Sequence, residues 1–363
     1  MGFREEFWRV ISEIQIERNL SIDEKKAKIS QIENILKSGL PKRVFKYRSC
    51  NTRNIDALAR NVLYAVPGSY MNDPFDCLVY VDREFIVESI KYGFSRKLLD
   101  DIRKTKSLPE SLIKYLPQNY AQEFLEGCLK LTEEEIVEKE QENSKNLQTV
   151  IDNVNGFIDL CIRDLQDRSL ITSFAGSPFD SSMWSRYAGE NKGFVLEYAV
   201  EDTRFDFCRV CSNKQTGTCD GSIVAAYWYP IVYQEERFDA TTWVDYKIAD
   251  AALFSSSMRR DGYQPDVLIF DKCCLVKGKK WELEDEWRLV CYPQFSLPES
   301  KPIAIHTPIP CAIYYGSKIA EEDFRLLHKI IEDFRTNGAT IKEYRMYVDP
   351  YSCDFDMKCK EIQ

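Results

Sequence analysis

The sequence predicts an α+β fold: a mostly antiparallel strand core with N-terminal helices and a helical insertion. Three observations predict it. Strand-like runs outnumber helical runs outside residues 84–168. The tight strand–helix–strand alternation of a doubly wound parallel sheet is missing. Residues 84–168 switch to a charged, helical composition between two strand-rich parts. The expected organisation is N-terminal helices over 1–40, a strand-rich core over 41–83 and 169–350, the insertion at 84–168, and a tail over 351–363.

Residues 3–38 read as two helices. Phe7, Val10, Ile11 and Ile14 recur at helical spacing in the first. Ser21-Ile22-Asp23-Glu24 is a capping-box pattern that opens the second, with Ile29, Ile32 and Leu36 on one stripe and Gly39 and Pro41 at its end. Residues 44–48 read as a strand, 55–59 as a short helix after an Asn51-Thr52 cap, and 62–66 as a second strand stopped by Pro67-Gly68. In the insertion, Leu98, Leu99 and Ile102, then Phe124, Leu125 and Cys128, form apolar stripes at helical spacing. Strand signals return at 170–174, 193–198, 223–233, 286–292, 312–315 and 340–347. A helix at 321–334 carries Phe324, Leu327, Ile330 and Ile331 on one face.

The 363 residues are 44% hydrophobic and 13% aromatic, enough for a sizeable core with rings left over for a ligand pocket. The net charge of -9 and the absence of a long basic run exclude bulk nucleic-acid binding, yet leave room for a small basic pocket. A nucleic-acid-processing enzyme is disfavoured on the same ground. Thirteen cysteines are many, but the chain is far longer than disulfide-stapled secreted scaffolds. The N-terminus lacks an apolar leader, Glu6 breaks a myristoylation pattern, and no apolar run approaches the roughly 20 residues that span a bilayer. The expectation is a cytoplasmic protein with reduced thiols and no membrane association. Cys208-Arg209-Val210-Cys211 lacks a second ligand pair, so no zinc and no other metal is expected.

Several polar clusters could carry chemistry. Lys46 and Arg48 are i, i+2 on a strand and share a face, which requires solvent, carboxylates or an anionic ligand opposite them. Asn72-Asp73-Pro74 is either a rigid turn or a polar clamp on a ribose or base edge. Ser173-Phe174 is followed by Met183-Trp184-Ser185-Arg186-Tyr187, where Trp184 and Tyr187 serve either the core or a stacking wall for a planar ring. In a strand, Glu284, Glu286 and Arg288 would line one face, an unusual row unless paired or functional. An adjacent pair of Glu residues can divide acid and base roles. His306 and His328 are the only histidines. Gly-x-Ser-x-Gly, His-Glu-x-x-His and Walker motifs are absent.

Taken together, Phe45-Lys46-Tyr47-Arg48, Asn72-Asp73-Pro74-Phe75-Asp76, Ser173-Phe174, Met183-Trp184-Ser185-Arg186-Tyr187-Ala188, Lys192-Gly193-Phe194, and Lys277 with Trp281 and Glu284-Asp285-Glu286-Trp287-Arg288 resemble the successive blocks of the DUF2971 family. Ile313-Tyr314-Tyr315-Gly316 resembles its closing strand. The resemblance covers about 43–80 and 169–335. Arg186 stands where the family pattern has histidine, and the insertion at 84–168 departs from it. The family brings no settled activity. A second, weaker likeness is to ADP-ribosyltransferases of the Arg-Ser-Glu type, through Arg48, Ser173 and Glu284-Asp285-Glu286.

This likeness implies an enzyme that uses NAD as a substrate, with a toxin or defence effector role. Glu286 would be the catalytic carboxylate and Glu284 would position the acceptor. Lys46, Arg48, Asn72, Asp73, Ser173, Trp184, Tyr187 and Arg288 would bind the ligand. The alternative is a non-catalytic sensor of a nucleotide or metabolite using the same residues. The expected partners are a small-molecule nucleotide and a protein bound through the 84–168 helices.

Overall fold

The computed structural model describes residues 2–113, 118–208, 223–253, 265–291 and 301–362. Cys211 and Cys219 and the link from Cys208 to Cys211 lie outside the described residues. Helices α1 (Phe3–Glu13) and α2 (Ile22–Gly39) open the chain. Ser21 and Glu24 cap α2 reciprocally: Glu24 N donates to Ser21 Oγ at 3.3 Å and Ser21 N to Glu24 Oε2 at 2.9 Å. Phe7, Ile11, Ile32 and Leu36 pack against Ile171, Tyr229 and Val290. Ile29 departs from the expected stripe and is 42% exposed. No residue of 22–31 is buried, so the apolar contact of α2 begins only at Ile32.

The chain continues through β1 (Arg43–Arg48), α3 (Thr52–Ala59) and β2 (Val62–Ala65). The insertion comprises α4 (Arg83–Gly93), α5 (Arg96–Thr105), α6 (Glu110–Ile113), α7 (Gln118–Lys130) and α8 (Glu133–Arg168). A Thr132–Glu135 capping box starts the 36-residue α8. Leu98, Ile102, Leu108 and Cys128 form a small core of their own, whereas Phe124 stays 37% exposed. Ile158, Cys161 and Leu165, in the last turns of α8, pack with Val79, Ile86, Trp243 and Val244. Among the described residues, no helix is long and apolar enough to cross a membrane.

After the insertion come β3 (Leu170–Ala175), α9 (Ser181–Tyr187), β4 (Phe194–Ala199), β5 (Arg204–Cys208), β6 (Ile223–Pro230), β7 (Val232–Gln234), α10 (Thr241–Leu253), α11 (Ile269–Leu275), β8 (Val276–Gly278) and β9 (Glu286–Cys291). The chain closes with β10 (Ile303–His306), β11 (Ala312–Tyr315), α12 (Glu321–Thr336), β12 (Lys342–Tyr347) and β13 (Lys358–Glu361). Among the described residues, nine strands form one sheet in the order β13-β12-β11-β4-β1-β3-β9-β6-β5. Its pairings are antiparallel except β11–β12, which α12 connects as a parallel crossover. The fold is α+β with a mostly antiparallel sheet.

Some strand expectations change. The run 223–233 is two strands. Pro230, without an N–H, ends β6, and Ile231 N turns to Glu286 O at 3.0 Å. β7 then pairs with β8 in a separate two-stranded ribbon. β2 pairs with β10, outside the main sheet. The segment read as a tail contains β13, which extends the sheet edge along β12.

One departure from regular pairing creates the site. β1 pairs with β4 over six residues, from Arg43 opposite Ala199 to Arg48 opposite Phe194. On its other side β1 meets β3 at one register, Phe45 opposite Ala175. β3 pairs instead with β9 over six residues, Leu170–Ala175 against Cys291–Glu286. Beyond Phe45, β1 and β3 therefore part, and a cavity opens at the seam.

Candidate functional site

The cavity measures about 370 Å³. β1 supplies Lys46 and Arg48, α3 and its cap supply Asn51, Arg53 and Asn54, and β3 supplies Ser173. Asn72, Tyr187, Lys277, Glu284 and Glu286 close the side away from β1, and Met71 completes the lining. The period of two along β1 turns Lys46 and Arg48 to one face. Tyr47, between them, points the other way: its ring meets Trp184 edge-on at 5.5 Å and its hydroxyl donates to Ser177 O at 2.9 Å.

The cations on this lip have no carboxylate partners among the described residues. Lys46 Nζ reaches across the gap and donates to the Ser173 carbonyl. Burial, reinforced by the neighbouring charge of Arg48, pulls the Lys46 ammonium well below the usual lysine range, against a weaker pull from Glu286. Burial also lowers Arg48. Arg53 lies over the Tyr64 ring at 5.0 Å. Ser173 Oγ is buried without a hydrogen-bond partner among the described residues. A cluster of under-satisfied donors on a cavity wall suits an anionic, oxygen-rich ligand.

The opposite wall is a closed ionic network. Lys277 Nζ donates to Glu284 Oε2 and Glu286 Oε2, each at 2.8 Å, with Asp76 Oδ2 at 3.9 Å. Arg288 Nε donates to Glu286 Oε1 at 2.7 Å, Nη1 to Cys274 O at 2.7 Å, and Nη2 to Asp76 Oδ1. Tyr187 Oη donates to Glu284 Oε1 at 2.5 Å and accepts from Asn72 Nδ2 at 3.1 Å. Burial alone would raise the Glu286 carboxyl, but Arg288 and Lys277 hold it far below the ordinary range. Burial opposes the charge on Lys277, and Glu286 and Asp76 more than restore it. The Tyr187 hydroxyl is pushed up to about 12, by burial first and then by its bond to Glu284. Glu286 is therefore a fixed anion that offers charge and acceptor capacity rather than proton transfer.

The backbone beneath this wall is pinned by the N-terminal helix. Arg4 Nη1 donates to Ile231 O at 2.6 Å and to Glu286 O at 2.9 Å, and Arg4 Nη2 meets Asp285 Oδ1 at 2.5 Å. Tyr233 Oη accepts from Glu286 N at 2.7 Å. Glu284 is not on a strand. It sits in a 3-10 turn, and Asp285, with φ of 43°, makes the left-handed step into β9. That step brings Glu284 beside Glu286, where a continuous strand was expected to do so.

Of the residues singled out in the sequence, Lys46, Arg48, Asn72, Ser173, Tyr187, Glu284 and Glu286 line this cavity. Three do not. Trp184 is fully buried, packs on Tyr47, and spends its indole N–H on Pro178 O at 2.7 Å, so it is core and not a ligand wall. Arg288 is likewise fully buried, and its donors go to Glu286, Asp76 and Cys274, which makes it a support for Glu286. Asp73 is buried and lines a neighbouring cavity, its Oδ1 accepting from Phe75 N at 3.1 Å. Sequence reasoning passed over Asp76, Lys277 and Arg4 as site residues. Asp76 and Lys277 did stand inside the quoted motifs, and Arg4 carried no signal.

Comparison with known proteins adds one match. The family model DUF2971, a protein of unknown function, matches residues 183–289. This stretch runs from Met183 through α9 to β9, and is narrower than the resemblance read from the sequence. No curated protein and no solved structure matches the chain.

Proposed function

We propose that the chain binds NAD at the β1–β3 seam and acts on it as an ADP-ribosyltransferase-like enzyme. The observation that carries this reading is the division of charge across the cavity. Lys46, Arg48 and Arg53 face it on one lip without carboxylate partners among the described residues, and the carboxylates of Glu284 and Glu286 close the other side. A diphosphate suits the first, with Arg48 as its bidentate partner. Ribose hydroxyls suit the second. Ser173 Oγ, buried and without a partner among the described residues, adds a donor to the same lining. As the nicotinamide–ribose bond breaks, the electron pair leaves with nicotinamide and positive charge develops on the ribose. A carboxylate that stays ionised favours that charge without itself moving a proton. The acceptor oxygen or nitrogen then forms the new bond and releases its proton.

A second reading, binding without turnover, is favoured by one specific feature. Both oxygens of Glu286 already accept from cations, Arg288 and Lys277, which offsets the charge it presents to a ligand. Calorimetry with NAD and chromatography of released nicotinamide separate the two. The enzyme reading expects NAD binding and nicotinamide release. Binding with no release supports the sensor, and a protein that does not bind NAD overturns both. Arg48→Ala is expected to weaken NAD binding by about 10- to 100-fold, the worth of a hydrogen-bonded charge pair. Unchanged affinity in that variant removes Arg48 from the site.

A further inference from the structure

Two lysines line the cavity at the β1–β3 seam, and they meet opposite surroundings. Lys277 Nζ donates to Glu284 and Glu286 at 2.8 Å each. Burial works against its charge, yet Glu286 and Asp76 hold the ammonium above the ordinary lysine range. Lys277 is a locked cation with no lone pair to offer. Lys46 Nζ donates instead to the Ser173 carbonyl and stands 5.3 Å from the Phe174 ring centroid. Neither neighbour carries a charge. Glu286 attracts Lys46 weakly, because both of its oxygens already accept from Arg288 and Lys277.

These surroundings suit a free amine better than an ammonium. Burial acts first, Arg48 adds like-charge repulsion, and together they pull Lys46 well below the usual lysine range. A free amine spends one N–H on the Ser173 carbonyl and keeps its lone pair for reaction. Desolvated lysines beside a second cation are nucleophiles toward carbonyl carbon. Arg48 and Arg53 keep the lip cationic whichever form Lys46 takes.

Arg48 supplies the complement. It lies two residues further along β1 on the same face, about 6–7 Å away along the strand. An anionic group held by its guanidinium would bring a carbonyl a few bonds away to Lys46. The cavity, at about 370 Å³, is near the small end of ligand sites, which begin at about 300 Å³. Ser173 Oγ, in the same lining and without a partner among the described residues, is a donor for the carbonyl oxygen.

We infer that Lys46 is a nucleophile that captures a small phosphorylated aldehyde or ketone as an imine, with Arg48 holding the phosphate. The amine nitrogen adds to the carbonyl carbon. The carbonyl oxygen then leaves as water, taking both amine protons, and a C=N bond replaces the C=O bond. No electrons are gained or lost, so the step needs no oxidant, reductant or further reactant. This activity goes beyond the NAD reading and does not depend on it, since the two share only the anion-binding lip.

The test incubates the parent with glyceraldehyde 3-phosphate or with glyceraldehyde, traps imines with borohydride, and maps the adducts by peptide mass spectrometry. Lys46 is expected to label faster than the exposed lysines, and faster with the phosphorylated probe than with the plain one. Lys46→Arg, which keeps the charge and removes the nucleophile, should lose that adduct while labelling of the exposed lysines is unchanged. Arg48→Ala alters the basicity of Lys46 for both probes alike, so the readout is the ratio of the two rates. That preference for the phosphorylated probe should fall by roughly 10-fold or more, the worth of a hydrogen bond to a charged group. The adduct map of the parent stands whether or not a variant folds. Labelling of Lys46 no faster than that of the exposed lysines, equal rates for the two probes in the parent, or a preference that survives in Arg48→Ala would overturn the assignment.

Discussion

Replacing Glu286 by Gln tests the ionic network and the chemistry together. The substitution keeps shape and removes one charge from a group whose side chain is 3% exposed and bonded to two cations. Lys277 and Arg288, 3% and 0% exposed, would then share Asp76 and Glu284 alone, and one face of the new amide would present N–H groups to a cation. Breaking a buried pair costs about 3–5 kcal/mol. Asp76 already bonds Arg288 and lies near Lys277, so the lower figure, about 3 kcal/mol at pH 7, is expected.

The pH dependence follows from the direction of the Glu286 shift. Its folded-state carboxyl is held below the unfolded value, near 4.3. Its contribution is therefore complete above that value and is lost as pH falls toward the folded one. Urea unfolding of both proteins from pH 7 down to pH 3 should show the full gap at neutral pH and a narrowing gap below about 4.3. Nicotinamide release, if the parent performs it, should drop about 100-fold or more in protein that remains folded. A variant as stable as the parent at pH 7, or a gap that widens on acidification, would refute the account of Glu286 as a locked anion.

Two further substitutions separate core from site. Trp184→Ala should destabilise by about 3–5 kcal/mol, as large core truncations do, yet leave NAD affinity of the folded protein unchanged. A selective loss of affinity would return Trp184 to the ligand wall. Gly193→Ala places a Cβ 2.1 Å from Arg48 O and 2.8 Å from Ala188 O, so β4 and the end of β1 must separate. Both the melting temperature and NAD affinity should fall, and a fully active, equally stable variant would show that Arg48 needs no support from β4.

How much of this was legible in the sequence depended on distance along the chain. Lys46 and Arg48 share a face because a strand has period two, and that rule needs only five adjacent residues. The caps of α2 and α3 are similarly local: Ser21 with Glu24, and Asn51 accepting from Asn54 N at 2.9 Å. Trp184 and Tyr187 were harder. Three residues apart on one short helix, they lie on nearly the same side, and only the position of α9 against β1 decides which one reaches the cavity. Glu284 was placed by a strand rule that does not apply, since the left-handed Asp285 interrupts the chain before β9. The Asp76–Arg288 pair joins residues 212 positions apart, and no local pattern announces such a contact. β8, three residues long, carries too few residues for alternation to declare itself.

The parting of β1 from β3 also bears on how the protein coheres. On one side of the seam lie β13, β12, β11, β4 and β1, and on the other β3, β9, β6 and β5. Phe45 opposite Ala175 is the backbone register that joins these two half-sheets. A molecule lodged between Arg48 and Ser173 would touch both halves at once and act as a strut. Linkage then makes the effect mutual: the strut tightens the junction by the same free energy that a tighter junction adds to the strut's own affinity. Substitutions at Phe45 or Ala175, which join the two half-sheets and also line the cavity, would thus adjust how firmly the ligand is held.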